Sequence, residues 1–115
     1  MLIRSQDKET LINFNNSPSI QIIETDGDAI IACSDTYETY TIGFYSTKVK
    51  AMKVLDMIQE AYAEYKITYT FLTGFTGHRV IVESNDICVN GFKELAEDFK
   101  KNMVFQMPDD GSVEV

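Results

Sequence analysis

The hydrophobic pattern of the chain changes its period at Ser46-Thr47, and this change constrains the fold more than any other feature. Before it, short runs rich in Ile, Thr and Tyr alternate in the manner of half-buried strands. After it, apolar residues recur at spacings of three and four to about residue 65, without Gly or Pro, as in an amphipathic helix. Strands followed by a helix indicate an α+β domain, not a parallel α/β fold.

Five β-prone runs precede the helix, at residues 2–5, 10–14, 20–24, 29–33 and 39–45. The polar Gln6-Asp7-Lys8-Glu9 between the first two predicts a hairpin. Asp26-Gly27 between the third and fourth is the strongest hairpin signal, because Gly takes the positive φ of a tight primed turn. We therefore expect an antiparallel meander with the helix packed across it.

The helix begins at a hydroxyl N-cap in Ser46-Thr47. Its apolar face contains Ala51, Leu55, Ile58, Tyr62 and Tyr65, widened by Met52. Such a stripe should cover one face of the sheet.

The second half of the chain is less regular. Residues 67–71 alternate cleanly and residues 79–82 resemble a short buried strand, so the two predict a second hairpin. Asn90 can cap a shorter helix over residues 91–101, and residues 104–107 predict a last strand before Pro108. The apolar face of that shorter helix consists of Phe92, Leu95, Ala96 and Phe99. The prediction is one α+β domain over residues 1–108, an antiparallel meander packed by one long and one shorter helix, and an acidic flexible tail at 109–115.

Composition restricts the partners of the chain. Its 115 residues suit one domain, and a net charge of −8 disfavours binding to a nucleic-acid backbone. The same charge fits either plain solubility or mimicry of nucleic acid toward a basic protein surface. The sequence has no apolar run of about 18 residues and no leader-like start, which predicts a cytoplasmic protein without a membrane partner. Cys33 and Cys88 stand in apolar stretches and read as buried free thiols.

The chain lacks the residue patterns of common catalytic and metal sites. His78 is the single histidine, and neither a GxSxG motif nor a cysteine in a polar setting accompanies it. Asp26-Gly27-Asp28 lacks the rest of a calcium loop, and Gly74-Phe75-Thr76-Gly77-His78-Arg79 lacks the Lys-Ser/Thr of a P-loop. We predict a protein that is not an enzyme and has no metal or cofactor.

That glycine-rich segment nevertheless offers a set of residues for ligand recognition. Phe75 can stack on a base, Thr76 and backbone N–H groups can donate, and His78 and Arg79 can pair with phosphate. The predicted ligand-binding residues are Phe75, Thr76, His78, Arg79, Phe92 and Arg4. The alternative is a plain hairpin turn in which Phe75 packs on the core and Arg79 pairs with Glu83. Lys48, Lys50 and Lys53 form either a solvated face or an anion site at the helix start.

Six tyrosines and seven phenylalanines are many rings for a small domain, and they serve either the core or an interface. An edge strand at residues 2–5 or 104–107 would also invite pairing with another chain. We therefore expect a homodimer or a larger closed oligomer.

Three segments resemble a family of small proteins carried by prophages and other mobile elements of Gram-positive bacteria. They are Met1-Leu2-Ile3-Arg4-Ser5-Gln6-Asp7-Lys8, Tyr45-Ser46-Thr47 with the helix from Lys50 to Tyr62, and Val104-Phe105-Gln106-Met107-Pro108. Many members of that family run almost directly from the helix to the last strand, so residues 66–101 look like an elaboration.

The resemblance implies a phage-derived protein in the cytoplasm of a bacterial host. In outline the chain is also similar to the Thoeris anti-defence sponges, which sequester a cyclic ADP-ribose signal. One hypothesis is thus a non-enzymatic oligomer that encloses a nucleotide-derived signal near residues 75–79. A second is an acidic inhibitor that binds a basic site on a host defence nuclease, as anti-CRISPR proteins do. A third is a structural prophage accessory protein without a small ligand.

Overall fold

The computed structural model describes residues 1–16, 19–77, 94, 97 and 99–115 of the chain. The strands and the long helix are β1 (Leu2–Arg4), β2 (Leu11–Asn13), β3 (Ser19–Thr25), β4 (Asp28–Ser34), β5 (Thr39–Tyr45), α1 (Lys48–Gly77) and β6 (Val104–Gln106). Residues 94, 97 and 99–102 are also helical, which agrees with the shorter helix before β6. The α+β class is confirmed.

Strands β3, β4 and β5 form the predicted antiparallel meander. Thr25 pairs with Asp28, so Asp26-Gly27 is the two-residue turn, as expected. Gly27 has φ +93°, whereas Asp26 keeps a negative φ. The prediction of a primed turn is therefore wrong, because only the residue without a Cβ takes the left-handed conformation.

The other sheet has the strand order β2-β1-β6. Ile3 of β1 pairs antiparallel with Ile12 of β2 and parallel with Phe105 of β6. The prediction that residues 2–5 form an edge strand is wrong, because β6 returns from the far end of the sequence to lie beside them. Among the described residues, strand β6 is at an edge, as predicted.

Helix α1 begins as expected and continues further than expected. The Thr47 hydroxyl accepts a hydrogen bond from the Lys50 backbone N–H at 3.2 Å, which is an N-cap contact. On the face toward the sheets, Val54 is fully buried, whereas Met52 is 52% exposed. The predicted widening of the stripe by Met52 is therefore wrong, and Val54 takes that place.

The helix runs through residues 67–71 and on to Gly77, so the predicted strand there and the predicted turn at Gly74 to Gly77 are wrong. The Tyr69 ring lies 6.1 Å from the Tyr65 ring and 6.2 Å from the Phe99 ring, measured between centroids. These ring contacts hold the shorter helix against α1, and tertiary packing overrides the β-propensity of the segment. The predicted strand at 79–82 lies outside the described residues.

Gln6 joins the two sheets. Its backbone N–H donates to the Ile42 carbonyl at 2.8 Å, and its side-chain amide donates to the carbonyls of Phe44 and Pro108 at 3.0 and 3.2 Å. The Phe44 N–H donates back to Gln6 Oε1 at 2.8 Å. The free edge of β5 is thus covered, and the segments around Gln6, Tyr45 and Met107 that carry the family resemblance meet at this junction.

Both sheets and α1 contribute to one buried cluster. Its largest fully buried side chains are Tyr45, Met1, Ile3, Ile31, Ile42, Met107, Val54 and Cys33. Cys33 is a free, buried thiol as predicted, and Cys88 lies outside the described residues. The cluster fixes the two sheets against each other, and this arrangement leaves a cleft at one side.

Residues 109–115 lie against the start of α1 instead of extending as the expected flexible tail. An Asp110 carboxylate oxygen accepts from the Ser46 N–H at 2.8 Å, and Lys50 Nζ donates to the Asp110 carbonyl at 3.0 Å. Val113 is 6% exposed. The acidic segment is held because the helix start presents free N–H groups and lysines.

Candidate functional site

The predicted ligand-binding residues are only partly described by the structure. Phe75 and Thr76 lie in the last turn of α1, not in a loop between strands. His78, Arg79 and Phe92 lie outside the described residues. Arg4 ends β1, is exposed, and donates from Nε to the Lys8 carbonyl at 3.1 Å.

Arg4 is far from the end of α1. Burial, and then the charge of Lys66, lowers the pKa of the Met1 amino group, so the residue before β1 lies near the second half of the helix. From Lys66 the helix continues for about 15 Å to Thr76, at roughly 1.5 Å per residue. Strand β1 runs away from the end of α1. Its last residue, Arg4, lies at the opposite end of the sheet, where its carbonyl accepts a hydrogen bond from the Met107 N–H. The described fold does not bring Arg4 to Phe75, and a site around His78 and Arg79 stays a prediction.

The three lysines at the start of α1 have acidic or carbonyl partners. Lys48 Nζ lies 2.9 Å from a Glu24 carboxylate oxygen, and Lys50 Nζ lies 3.6 Å from Asp110. Lys53 donates to the backbone carbonyl of Glu114. These contacts favour a structural, solvated face over an anion site.

A cleft of about 270 Å³ lies between β2 and the end of the β4–β5 hairpin. Its lining combines backbone and polar groups with a few apolar side chains. The residues that line it are Thr10, Leu11, Ile12, Asn13, Asn16, Cys33, Asp35 and Tyr40. Sequence reasoning missed this cleft, because its walls come from hairpins that are not adjacent in the chain.

One wall of the cleft is the free edge of β2. The Ser5 N–H donates to the Thr10 carbonyl at 2.8 Å, and the Phe14 N–H donates to the Met1 carbonyl at 3.0 Å. Backbone groups alternate in direction along an antiparallel strand, so Thr10, Ile12 and Phe14 face β1. The N–H and C=O groups of Leu11 and the N–H group of Asn13 consequently face the cleft, whereas the Asn13 carbonyl belongs to the 3-10 turn Phe14–Asn16.

The opposite wall is acidic. The Asp35 carboxylate accepts backbone N–H bonds from Glu38 and Tyr37, both at 2.8 Å, and these bonds lower its pKa. The Tyr40 hydroxyl donates to the Glu38 carboxylate, and this bond, more than any other cause, raises the Tyr40 pKa to about 12. At neutral pH this wall therefore carries an ionised Asp35 and a protonated Tyr40.

Cys33, at the base of the cleft, is not set up as a nucleophile. Burial, and then the Asp35 charge, raises the pKa of its thiol. A neutral thiol is a poor nucleophile and a poor metal ligand. The cleft supplies hydrogen bonds and negative charge, and no activated group is found among its lining residues.

Exposed apolar side chains lie at the rim. Leu11 is 57% exposed, and Tyr37, in the same turn as Asp35, is 92% exposed. Exposed rings beside charged groups are common anchors of protein interfaces. The Asp35-Thr36-Tyr37-Glu38 turn was the one available sequence signal, since it combines two carboxylates with a tyrosine.

Comparisons with known proteins give no family for this chain. No family model matches it, and neither a curated protein nor a solved structure matches it. Within the described residues, no group of His, Cys, Asp and Glu side chains could hold a metal ion. No helix in that same part of the chain has the length and apolarity to cross a membrane.

Proposed function

We propose that this protein is a non-enzymatic binding module that takes an extended, basic segment of a partner protein into the cleft. The observation that carries the proposal is the pair of outward-facing residues Leu11 and Asn13, opposite Asp35, whose turn also carries Glu38. The partner segment would add to β2 as a further strand.

The backbone of β2 supplies the affinity in this proposal. Leu11 presents an N–H and a C=O group along one strand edge, and Asn13 adds an N–H group, because the Asn13 carbonyl is used by the 3-10 turn Phe14–Asn16. An extended peptide satisfies such groups with its own backbone, as in strand addition to an exposed sheet edge. Because these bonds involve no side chain of the peptide, they require an extended conformation but no particular residue sequence.

The acidic wall supplies the preference for a basic segment. One Asp35 oxygen accepts both turn N–H bonds, which leaves the second oxygen for an incoming Lys or Arg. Glu38 adds a second carboxylate, and the net charge of −8 draws cations toward the whole molecule. The described residues that line the cleft include no cation, so an anionic ligand would meet the Asp35 carboxylate without a compensating positive charge from them.

The size of the cleft suits a short part of a partner. Small-molecule sites usually enclose about 300–1,000 Å³, and this cleft lies just below that range. Its open rim, with Tyr37 and Leu11, can extend the contact beyond the enclosed part. A few residues of a larger protein fit these dimensions.

This proposal develops the hypothesis of an acidic inhibitor directed at a basic protein site. Sequestration of a cyclic ADP-ribose signal stays a prediction, because its candidate residues His78, Arg79 and Phe92 lie outside the described part of the chain. The phage and host-defence setting likewise rests on the family resemblance.

A calorimetric titration with short peptides tests the proposal. The probe is a capped pentapeptide of alternating valine and arginine, and the matched control has glutamate in place of arginine. We expect the basic peptide to bind with an affinity that falls as salt rises, and the acidic peptide not to bind.

Two pairs of variants locate the binding. Leu11→Pro removes a cleft-facing N–H and spares the ladder to β1, so it should abolish binding, whereas Val104→Pro, on the other edge of the sheet, should not. Asp35→Asn keeps the oxygen that accepts the two turn N–H bonds and should weaken binding about tenfold. Asp56→Asn on the exposed side of α1 should leave binding unchanged.

Two results would contradict the proposal: a basic peptide that does not bind, or one that binds Leu11→Pro as tightly as the natural chain. A thermal-shift panel of cyclic ADP-ribose isomers runs in parallel. Stabilisation by one of these isomers, without peptide binding, would favour sequestration of a nucleotide signal instead.

A further inference from the structure

Strand β3 is the longest uncovered strand edge among the described residues. It lies at the edge of the meander and spans the seven residues Ser19–Thr25. The edge strands β2 and β6 have three residues each, and the β5 edge is covered by Gln6. A strand of seven residues has enough backbone groups to specify a partner.

The hairpin register shows which backbone groups of β3 point outward. Thr25 and Asp28 flank a two-residue turn, and in such hairpins the flanking residues form a hydrogen-bonded pair. Alternate pairs are bonded, so Thr25, Ile23, Gln21 and Ser19 bond to β4. Ile20, Ile22 and Glu24 therefore point their N–H and C=O groups outward, and no described residue is seen to bond to them.

This edge lacks the usual devices against strand pairing. Soluble proteins protect long edge strands with proline, lysine, bulges or inward charges. Ser19–Thr25 contains no proline or lysine, and its register with β4 is uninterrupted. Glu24 is its one charged residue, and Lys48 neutralises it at 2.9 Å. An edge of this kind is typical of one that is occupied in the working protein.

We propose that the occupant is a second copy of this chain, paired β3 to β3 about a two-fold axis through Ile22. Ile22 then lies opposite the partner's Ile22, and Ile20 lies opposite the partner's Glu24. The three outward-facing residues of each copy meet the three of the other, which gives six backbone hydrogen bonds and a continuous six-stranded antiparallel sheet.

Other registers of self-pairing are poorer. An axis through Gln21 or Ile23 would pair only two of the three outward-facing residues of each copy, which gives four backbone hydrogen bonds instead of six. An axis through Glu24 would oppose two carboxylates, and one through Ile20 would shorten the overlap. The strand is therefore most self-complementary about Ile22, which favours an identical partner.

The outer face of the sheet supports the same arrangement. Ile23, Ile30 and Phe44 form a cross-strand row on that face, and Ile23 and Phe44 are 37% and 64% exposed. In the dimer Ile23 lies opposite the partner's Gln21 and diagonal to the partner's Ile23. The row would thereby continue across the two-fold axis.

Sedimentation velocity and light scattering test the proposal. The particle in solution should have about twice the 13.1 kDa mass of one chain. Ile22→Pro should produce a monomer that keeps its fold, because the N–H it removes points away from β4. Ile23→Lys should weaken the dimer at least tenfold, and Ile67→Lys, which changes a 71% exposed side chain of α1 by the same charge, should not.

The proposal is overturned if the chain stays monomeric at its highest soluble concentration. It is equally overturned if Ile23→Lys dimerises as tightly as Ile67→Lys, which would place the interface elsewhere. Should Ile22→Pro fail to fold, Ile23→Lys decides the question, because only a solvent-facing side chain changes. A dimer lost in Ile23→Lys and retained in Ile67→Lys supports the proposal.

Discussion

The two sheets of this protein are assembled in opposite ways. The meander β3-β4-β5 is built from neighbours in sequence joined by tight turns. The sheet β2-β1-β6 places residues 2–4 beside residues 104–106 in a parallel pair, with α1 in the connection. The difference shows that the second sheet, and the cleft beside it, depend on a long-range closure that local patterns do not record.

The largest expected effect tests whether the two sheets share one core. Ile3 and Ile31 are fully buried in the central strands of the two sheets. Ile3→Ala and Ile31→Ala should each lower the free energy of unfolding by about 2–5 kcal/mol, measured by urea denaturation. Both variants should unfold in one transition, whereas Ile67→Ala should have little effect. A second, unshifted transition in either variant would show two independent units.

A smaller effect is expected at Gly43 of β5, which packs tightly against Tyr45 and against Met107, the residue after β6. A Cβ on Gly43 would lie 2.8 Å from Tyr45 Cε2 and 3.1 Å from Met107 Cε. Gly43→Ala should therefore destabilise by about 1–3 kcal/mol through overpacking. Gly27→Ala in the meander turn meets no atom within 4 Å and should cost about 1 kcal/mol through its positive φ.

Gly111→Ala is the matched control for both glycine variants, since it has free space and no positive φ. Urea denaturation of the three variants should rank Gly43 first, Gly27 second and Gly111 last. A Gly43→Ala protein as stable as Gly111→Ala would contradict the tight packing of Tyr45 and Met107 around Gly43.

The amide of Gln6 should contribute about 1 kcal/mol to the junction between the sheets. Gln6→Ala removes its bonds to Phe44 and Pro108. Hydrogen exchange should then speed up at the Phe44 amide and leave β3 unchanged. Gln59→Ala on the exposed side of α1 is the control, and equal exchange at Phe44 in both variants would show that Gln6 does not hold the sheets.

Acid should weaken both sheets through their turns. The Ser5 hydroxyl and then the Glu9 N–H lower the pKa of Asp7, and turn N–H bonds lower that of Asp35. Because both folded values lie below the ordinary 3.8, their stabilisation is present above that pH and is lost as pH falls through the folded values. Urea midpoints should therefore fall at acid pH, and less so in Asp7→Asn and Asp35→Asn. If the urea midpoint fell equally with pH in the natural chain, Asp7→Asn and Asp35→Asn, this account of the two carboxylates would be contradicted.

How well each part of the fold could be predicted depends on how far apart in the sequence its contacting residues lie. The Asp26-Gly27 hairpin, strand β5 and the Thr47 cap depend on neighbouring residues, and periodicity and turn chemistry predicted them. The central place of β1 depends on β6, about a hundred residues away. The continuation of α1 past residue 65 depends on Phe99 packing against Tyr65 and Tyr69. Propensity favoured a strand there, and packing decided otherwise.

The candidate site follows the same rule. Asp35, Glu38 and Tyr40 are visible in the sequence as an acidic, aromatic turn. Their proposed function depends on β2 lying opposite them, and β2 belongs to the sheet in which β1 pairs with β6. Residue spacing could not predict this cleft, because its two walls, β2 and the β4–β5 hairpin, are separated in the sequence and meet only in the folded chain.

The central claim is that the backbone of β2 is open to the cleft and accepts a strand there. Amide hydrogen exchange resolved at Leu11, Ile12 and Asn13 tests it most directly, with and without saturating basic peptide. We expect fast exchange at Leu11 and Asn13 and slow exchange at Ile12 in the free protein, with peptide protecting the first two selectively. Slow exchange at Leu11 and Asn13 in the free protein, or none of this protection with peptide, would contradict the claim.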